Sequence, residues 1–214
     1  MTLKKRKTLV RYTNIAFLLE YLHTKKLNLV SPETWRDRND VYFMNLYREL
    51  QGGGKNFALC FTQGVEAHHF WDISAEGVGG VAIEFDGDSL LEAASGAGVI
   101  GRAVKYEKIQ ELRGGEDLNI EDLPFTKRFP FKDENEFRLF FWTKDSEICK
   151  RPTYSFSVPF HCVTQIRLSP TLPDSVKSSI KDVIRHLAGN HSFKINKSTL
   201  LENPQFQAIG RQAS

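Results

Sequence analysis

The residues with the most chemistry in this chain lie between Phe131 and Trp142, where Phe-Lys-Asp-Glu-Asn-Glu-Phe-Arg-Leu-Phe-Phe-Trp sets Glu134, Glu136 and Arg138 at alternate positions ahead of an aromatic run. Read as an extended strand, Glu134, Glu136, Arg138, Phe140 and Trp142 share one face, and Asn135, Phe137, Leu139 and Phe141 share the other. The far half is then apolar on both faces, the mark of a covered central strand, and the carboxylates enter the sheet at the rim of a core. Carboxylates beside low-dielectric surroundings have shifted proton affinities and attract a cationic ligand, which suits acid–base work or stabilisation of a positive centre. The plainer reading is a solvated charge ladder worth ~0–1 kcal/mol.

Other chemistry-bearing stretches fail on spacing. Gly52-Gly53-Gly54-Lys55 lacks both the first glycine and the hydroxyl of a phosphate loop, so it reads as a turn. Gly96-Ala97-Gly98-Val99-Ile100-Gly101 has the glycine spacing of a dinucleotide fingerprint, but it follows a helix and precedes a strand, the reverse of what that motif needs. His68 and His69 are neighbours that point different ways, with no Cys or acid at a ligand spacing, so no metal is expected.

Strands are expected at Thr8 to Tyr12, Leu27 to Val30, Phe57 to Thr62, Val81 to Phe85, Val99 to Tyr106, Thr153 to Val158 and Val163 to Leu168, with an edge strand at Phe193 to Asn196. Thr13 or Asn14 caps a helix through Ile15, Leu18, Leu19 and Leu22, and Ser31-Pro32-Glu33 reads as a helix start. The polar run Arg36 to Asp40 reads as a turn, after which Phe43, Leu46, Tyr47 and Leu50 take helical spacing. Asp88 to Ala94 is helical, and Pro173 to Leu187 is the clearest amphipathic helix, with Lys177, Lys181 and Arg185 recurring on one face. That stripe is either solvated surface or a phosphate or nucleic-acid track. The fold predicted is a mixed α+β single domain over 1–214, with a mostly antiparallel central sheet flanked by helices. It has a basic leader at 1–7, a surface excursion at 107–122 and a loose tail at 202–214.

At 214 residues and 41% hydrophobic content the chain can bury one full core. A net charge of +3 is too balanced for a dedicated nucleic-acid binder; such contact is allowed but not implied. Cys60, Cys149 and Cys162 are odd in number and widely spaced, so reduced thiols are expected rather than disulfides. No apolar run reaches membrane-spanning length and no signal-peptide core follows the leader, which predicts a cytoplasmic protein without a membrane partner.

Taken together, Arg11-Tyr12, Ser31-Pro32, Asn39-Asp40, Cys60-Phe61-Thr62, Trp71, Gly80, Glu84-Phe85, Tyr106, Lys132 with Glu134, Glu136 and Arg138, and Gln165-Ile166-Arg167-Leu168 resemble the prokaryotic family catalogued as domain of unknown function 2971. That family often has Asn-Asp-Pro-x-Glu where this chain has Asn39-Asp40-Val41-Tyr42. The order of Arg11, a Phe61-Thr62 strand end and a late Glu-x-Glu strand also resembles ADP-ribosyltransferases. That resemblance implies NAD as substrate and no metal. Glu136 would bind the ribose hydroxyls and stabilise the cationic sugar as nicotinamide leaves, and Glu134 would deprotonate an acceptor. Arg11 would grip the pyrophosphate, Thr62 would stand for the hydroxyl of the plan, and Trp71 or Tyr12 would stack on a ring. A bacterial toxin or phage-defence setting suits such a protein.

Two other classes stay open. One is a non-catalytic nucleotide- or nucleic-acid-sensing module using Arg11, Arg138 and the stripe of Lys177, Lys181 and Arg185. The other, a metal-dependent nuclease, is weakest, because no Asp precedes a Glu-x-Lys arrangement near the acidic strand.

Overall fold

In the computed structural model, which describes residues 7–75, 77–112 and 118–212, a branched nine-stranded sheet divides the apolar residues between its two faces. Of the basic leader only Lys7 falls within the described residues. The chain runs β1 (Thr8–Asn14), α1 (Ile15–Thr24), β2 (Lys26–Val30), α2 (Arg38–Leu50), β3 (Lys55–Thr62), α3 (His68–Ile73), β4 (Gly80–Asp86) and α4 (Gly87–Gly96). It continues through β5 (Ile100–Ala103), β6 (Lys105–Glu107), α5 (Ile109–Leu112), β7 (Thr126–Arg128), β8 (Glu136–Thr143) and α6 (Ser146–Cys149). It ends with β9 (Thr153–Ser157), β10 (Val163–Leu168), α7 (Asp174–Ala188), β11 (Lys194–Lys197) and α8 (Pro204–Gln212).

The sheet has two halves. β11, β10, β4 and β1 form one, and β5, β8, β3, β2 and β9 form the other. They meet at β1 and β3 through the single register pair Val10↔Thr62, whereas β3 pairs with β8 from Lys55↔Thr143 to Thr62↔Glu136. Within this sheet only β10 and β11 run parallel, so the expected mixed α+β domain with a mostly antiparallel sheet is the one that forms.

One face carries the main core. Leu9, Leu59, Phe61, Ile83, Phe137 and Leu139 project there and are covered by Leu18 and Leu22 of α1, Leu90 of α4 and Ile184 of α7. The opposite face holds two smaller apolar clusters, one around Tyr12, Phe70 and Trp71 and one around Met44, Tyr47, Phe125 and Phe140. Buried charge lies with them on this face.

Local chemistry accounts for several boundaries. Asn14 Oδ1 accepts from the Ala16 and Phe17 amides and caps α1, while Lys25 at φ 56° ends it. α2 starts earlier than the apolar spacing alone predicts: Asp37 caps it, so Arg38 to Asp40 form its first turn instead of a loop. The stretch expected as one strand from Val99 to Tyr106 divides into β5, which joins β8, and β6, which pairs in parallel with β7. The excursion before β7 ends in a 3-10 turn, Ile120–Phe125, that buries Leu123, Pro124 and Phe125. Residues 204–212 form α8, in which no residue is buried. On α7, Lys177 and Arg185 pair with Asp174 and Asp182 one turn away. All three cysteines are free thiols, two half-buried and Cys162 buried. Among the described residues no helix is long and apolar enough to cross a membrane.

The turn into β3 is sterically exacting. Gly53 and Gly54 sit at φ 101° and 95°, but a Cβ on Gly53 meets nothing within 4 Å, whereas one on Gly54 runs into the Thr143 carbonyl oxygen. Gly53→Ala is expected to cost about 1 kcal/mol, from backbone conformation alone. Gly54→Ala is expected to cost more than about 2 kcal/mol, and urea denaturation of the two variants reads the difference.

Candidate active site

The sheet places Arg138 at the centre of the charged face, opposite Cys60 in register and two pairs from Glu136↔Thr62. Its guanidinium is fully buried. Four of its five N–H groups are satisfied: Nε donates to Glu136 Oε1 at 2.7 Å, Nη1 to Asp40 Oδ1 at 2.8 Å and to the Pro124 carbonyl at 2.7 Å, and Nη2 to Asp40 Oδ2 at 2.8 Å. The Trp35 ring lies over it, 4.9 Å from centroid to Cζ. The Asp40 pair is the two-pronged kind that fixes both partners in orientation.

Glu134 reaches the same place by a different backbone from the one its spacing predicts. Phe129–Glu134 is a 3-10 run and Asn135 adopts φ 41°, so β8 begins only at Glu136. Asn tolerates this left-handed conformation, where most side chains are strained. Glu134 therefore shares no strand face with Glu136. Lys127 of β7 joins the two instead: its Nζ lies 2.6 Å from Glu134 Oε2, 3.4 Å from Glu136 Oε2 and 3.8 Å from Asp40 Oδ2.

These groups line a cavity of about 520 Å³, within the usual range for small-molecule sites. Its floor is Val10, Tyr12, Cys60, Phe61 and Thr62, where β1 and β3 touch at one register pair. Trp35, Arg36 and Asp37 form one wall, His69, Phe70, Ile73 and Ser74 a second, and Lys127, Phe131 and Glu134 a third. Aromatic rings thus surround a pocket that has buried charge at its base.

The two glutamates have their proton affinities pushed apart. Burial alone would raise the Glu136 carboxyl, but Arg138, Lys127 and the Cys60 thiol outweigh it and hold it at about 2. Burial raises Glu134, with Lys127 opposing and Glu136 adding to the rise. Burial and the Glu136 charge push the Cys60 thiol well up, so it stays protonated beside that carboxylate. With all five groups ionised, Asp40, Glu134 and Glu136 carry three negative charges against two positive on Lys127 and Arg138. The excess is one negative charge, and protonation of Glu134 removes it. Among the described residues no group of three or more His, Cys, Asp or Glu side chains is set to hold a metal ion.

Of the residues singled out in the sequence, Glu134, Glu136, Tyr12 and Thr62 line the cavity, and Arg138 lies buried against Glu136. Tyr12 stacks on Phe70 with centroids 5.0 Å apart. Trp71 is buried behind it, edge-on to Tyr12, and donates Nε1 to Glu66. Arg11 alternates with Tyr12 onto the other sheet face, alongside Leu9, and donates Nη1 to the Cys60 carbonyl at 3.3 Å. Sequence reasoning gave no site role to Asp40, Lys127, Trp35, His69 or Phe131, although Asp40 stood in one of the resembling motifs and His69 was weighed for metal. Asp40, Met44 and Tyr47 share the buried side of α2 at i, i+4 and i+7, a signal legible in the sequence. Lys127 carries no local signal at all.

Removing one partner of a buried pair strands the other, so Arg138→Met is expected to destabilise by about 3–5 kcal/mol. The depressed Glu136 group contributes stability that is present above its unfolded value of 4.5 and is lost as pH falls towards about 2. Chemical denaturation from pH 2 to 6 is expected to show that loss in the wild type and a smaller one in Glu136→Gln.

No protein-family profile and no curated sequence matches this chain. Solved structures of Thermus sp. 2.9 DarT resemble it over 92% of its length: the complex with NAD+ at 11% identity, covering 98% of that chain with a TM-score of 0.45; the complex with carba-NAD+ at 11% identity, 97% and 0.47; and the complex with ADP-ribosylated ssDNA at 10% identity, 97% and 0.47. At that distance the likeness lends neither a ligand nor an activity to this chain.

Proposed function

We propose that this chain is an ADP-ribosyltransferase that uses NAD, with Glu136 and Glu134 as its catalytic carboxylates. The observation that carries this reading is the pair of glutamates on one aromatic-lined cavity, one held as an anion and the other raised, in a cluster with Asp40, Lys127 and Arg138 that has one negative charge in excess when all five groups are ionised. Groups whose environments push their proton affinities apart divide into electrostatic and proton-carrying roles.

In the reaction the bond between the nicotinamide nitrogen and the ribose anomeric carbon breaks, and its electron pair leaves with nicotinamide. The sugar becomes cationic. Glu136 stabilises that charge without taking a proton, because Arg138 and Lys127 keep it ionised. The acceptor forms the new bond to the anomeric carbon and gives its proton to Glu134. Excess negative charge at the base of the cavity favours both the cationic ring of the substrate and the cation that follows it. Membership of the prokaryotic family catalogued as domain of unknown function 2971, and a cytoplasmic role in a bacterial toxin or phage-defence system, belong to the same proposal.

Glu136→Gln is expected to lower nicotinamide release from NAD by about 10²–10³-fold, in line with loss of one transition-state-stabilising group. Unchanged release would remove Glu136 from the mechanism. Glu134→Gln addresses the proton: in the wild type, transfer is expected to rise with pH as Glu134 ionises above its usual range, whereas the variant is expected to be slow and flat across that range. A rising limb retained in the variant would assign the base elsewhere.

A further inference from the structure

The cavity has a second chemical end. Among the described residues its cationic or potentially cationic lining groups are Arg36, His69 and Lys127. Lys127 is committed to Glu134, Glu136 and Asp40 and is nearly buried. Arg36 is exposed and pairs with no carboxylate among the described residues. His69 Nε2 is buried without a hydrogen-bond partner, and so is Asp37 Oδ2, whose sister oxygen caps α2. A buried polar atom left unpaired is destabilising, so each favours a ligand group that completes it.

We propose that Arg36 and His69 hold the anionic end of the ligand, a nucleoside diphosphate, while Asp37 Oδ2 accepts from a neighbouring sugar hydroxyl. Three features lead there. The carboxylate cluster repels phosphate from the base of the cavity, leaving the anion to the Arg36 and His69 walls. Arg36 presents a planar fork of donors suited to phosphate oxygens. His69 Nε2, in the tautomer that carries hydrogen, donates to a phosphate oxygen, and Asp37 Oδ2, an acceptor only, requires a donor such as a hydroxyl. The ligand is thereby oriented, with its cationic ring towards Glu136 and its diphosphate towards Arg36. Arg11, on the far sheet face, is left with a structural role. The orientation rests on the transferase reading, but diphosphate capture at Arg36 does not.

The test is calorimetric titration of the intact chain with two probes, ADP-ribose and nicotinamide riboside. Wild type, Arg36→Gln, His69→Gln and Arg11→Gln are compared, each checked for a wild-type melting profile. Arg36→Gln is expected to weaken ADP-ribose by about tenfold, the loss of one charge-assisted contact, and to flatten its salt dependence. His69→Gln is expected to weaken the same probe. Both variants should leave nicotinamide riboside unchanged, and Arg11→Gln should leave both probes unchanged. ADP-ribose bound equally by Arg36→Gln and wild type, or weakened by Arg11→Gln instead, overturns the proposal, as does a wild type that binds no ADP-ribose. Binding of ADP-ribose that depends on Arg36 without nicotinamide release from NAD supports this site and removes the transferase reading alone.

Discussion

A fully buried guanidinium is the constraint on which the rest of this structure depends. Arg138 lies on an interior strand of one half-sheet, between β5 and β3, and withdrawing its charge from water is costly unless partners surround it. Glu136 supplies one from two residues away on the same strand, Asp40 supplies a two-pronged one from α2, and the Pro124 carbonyl closes the far side. Each requires a particular backbone: the 3-10 run that presents the carbonyl, the early start of α2 that turns Asp40 inward, and a strand that holds Glu136 in register with Thr62. Buried ion pairs are weak sources of net stability. What this one supplies is geometry, because the carboxylates cannot move without stranding the arginine.

The cavity follows from the same arrangement. The two half-sheets pair in register only at Val10↔Thr62, so the charged face opens between its two apolar clusters instead of closing over them. α2 and α3 cover those clusters and leave the space between to Trp35, His69 and Phe131. The site between the two small cores takes part of its lining, Val10, Tyr12 and Phe70, from one of them. Its acidic base and the unpaired groups on the Arg36 and His69 walls give it polarity, and a ligand with one positive and one negative end matches it.

Lys127 sets the tone of the acidic base. It touches all three carboxylates while nearly out of water, and together with Arg138 it leaves the five-residue cluster one charge short of neutral. Burial raises both Asp40 and Glu134, and Glu134, the more exposed of the two, is the one open to the cavity for exchanging that last proton. The cluster is thus close to balanced, with a single proton deciding whether it is neutral or negative.

The order of most strands and helices, though not of β7, α5, α6 and α8, was legible in the sequence because it rests on short-range rules: alternation, helical spacing, an Asn cap and glycine turns. The importance of Glu134, Glu136 and Arg138 was legible for the same reason, since charges within an aromatic run are locally conspicuous. Their geometry was not. Glu134 was expected on the strand face of Glu136, but Asn135 takes a left-handed conformation that no alternation pattern reports, and the two are joined through Lys127 instead. Arg11 fell on the opposite face because pleat parity is fixed once Tyr12 packs on Phe70, a contact 58 residues away in sequence. Asp40 was read as part of a turn, although its spacing to Met44 and Tyr47 already placed it on the buried side of a helix. Lys127 had no local mark, since nothing near it in the chain needs a cation; the need comes from three carboxylates that only folding assembles. The sequence by itself thus determined most of the elements and the residue types of the acidic strand. Only the tertiary structure decided which charges meet, because a buried charge is partnered through space and not along the chain.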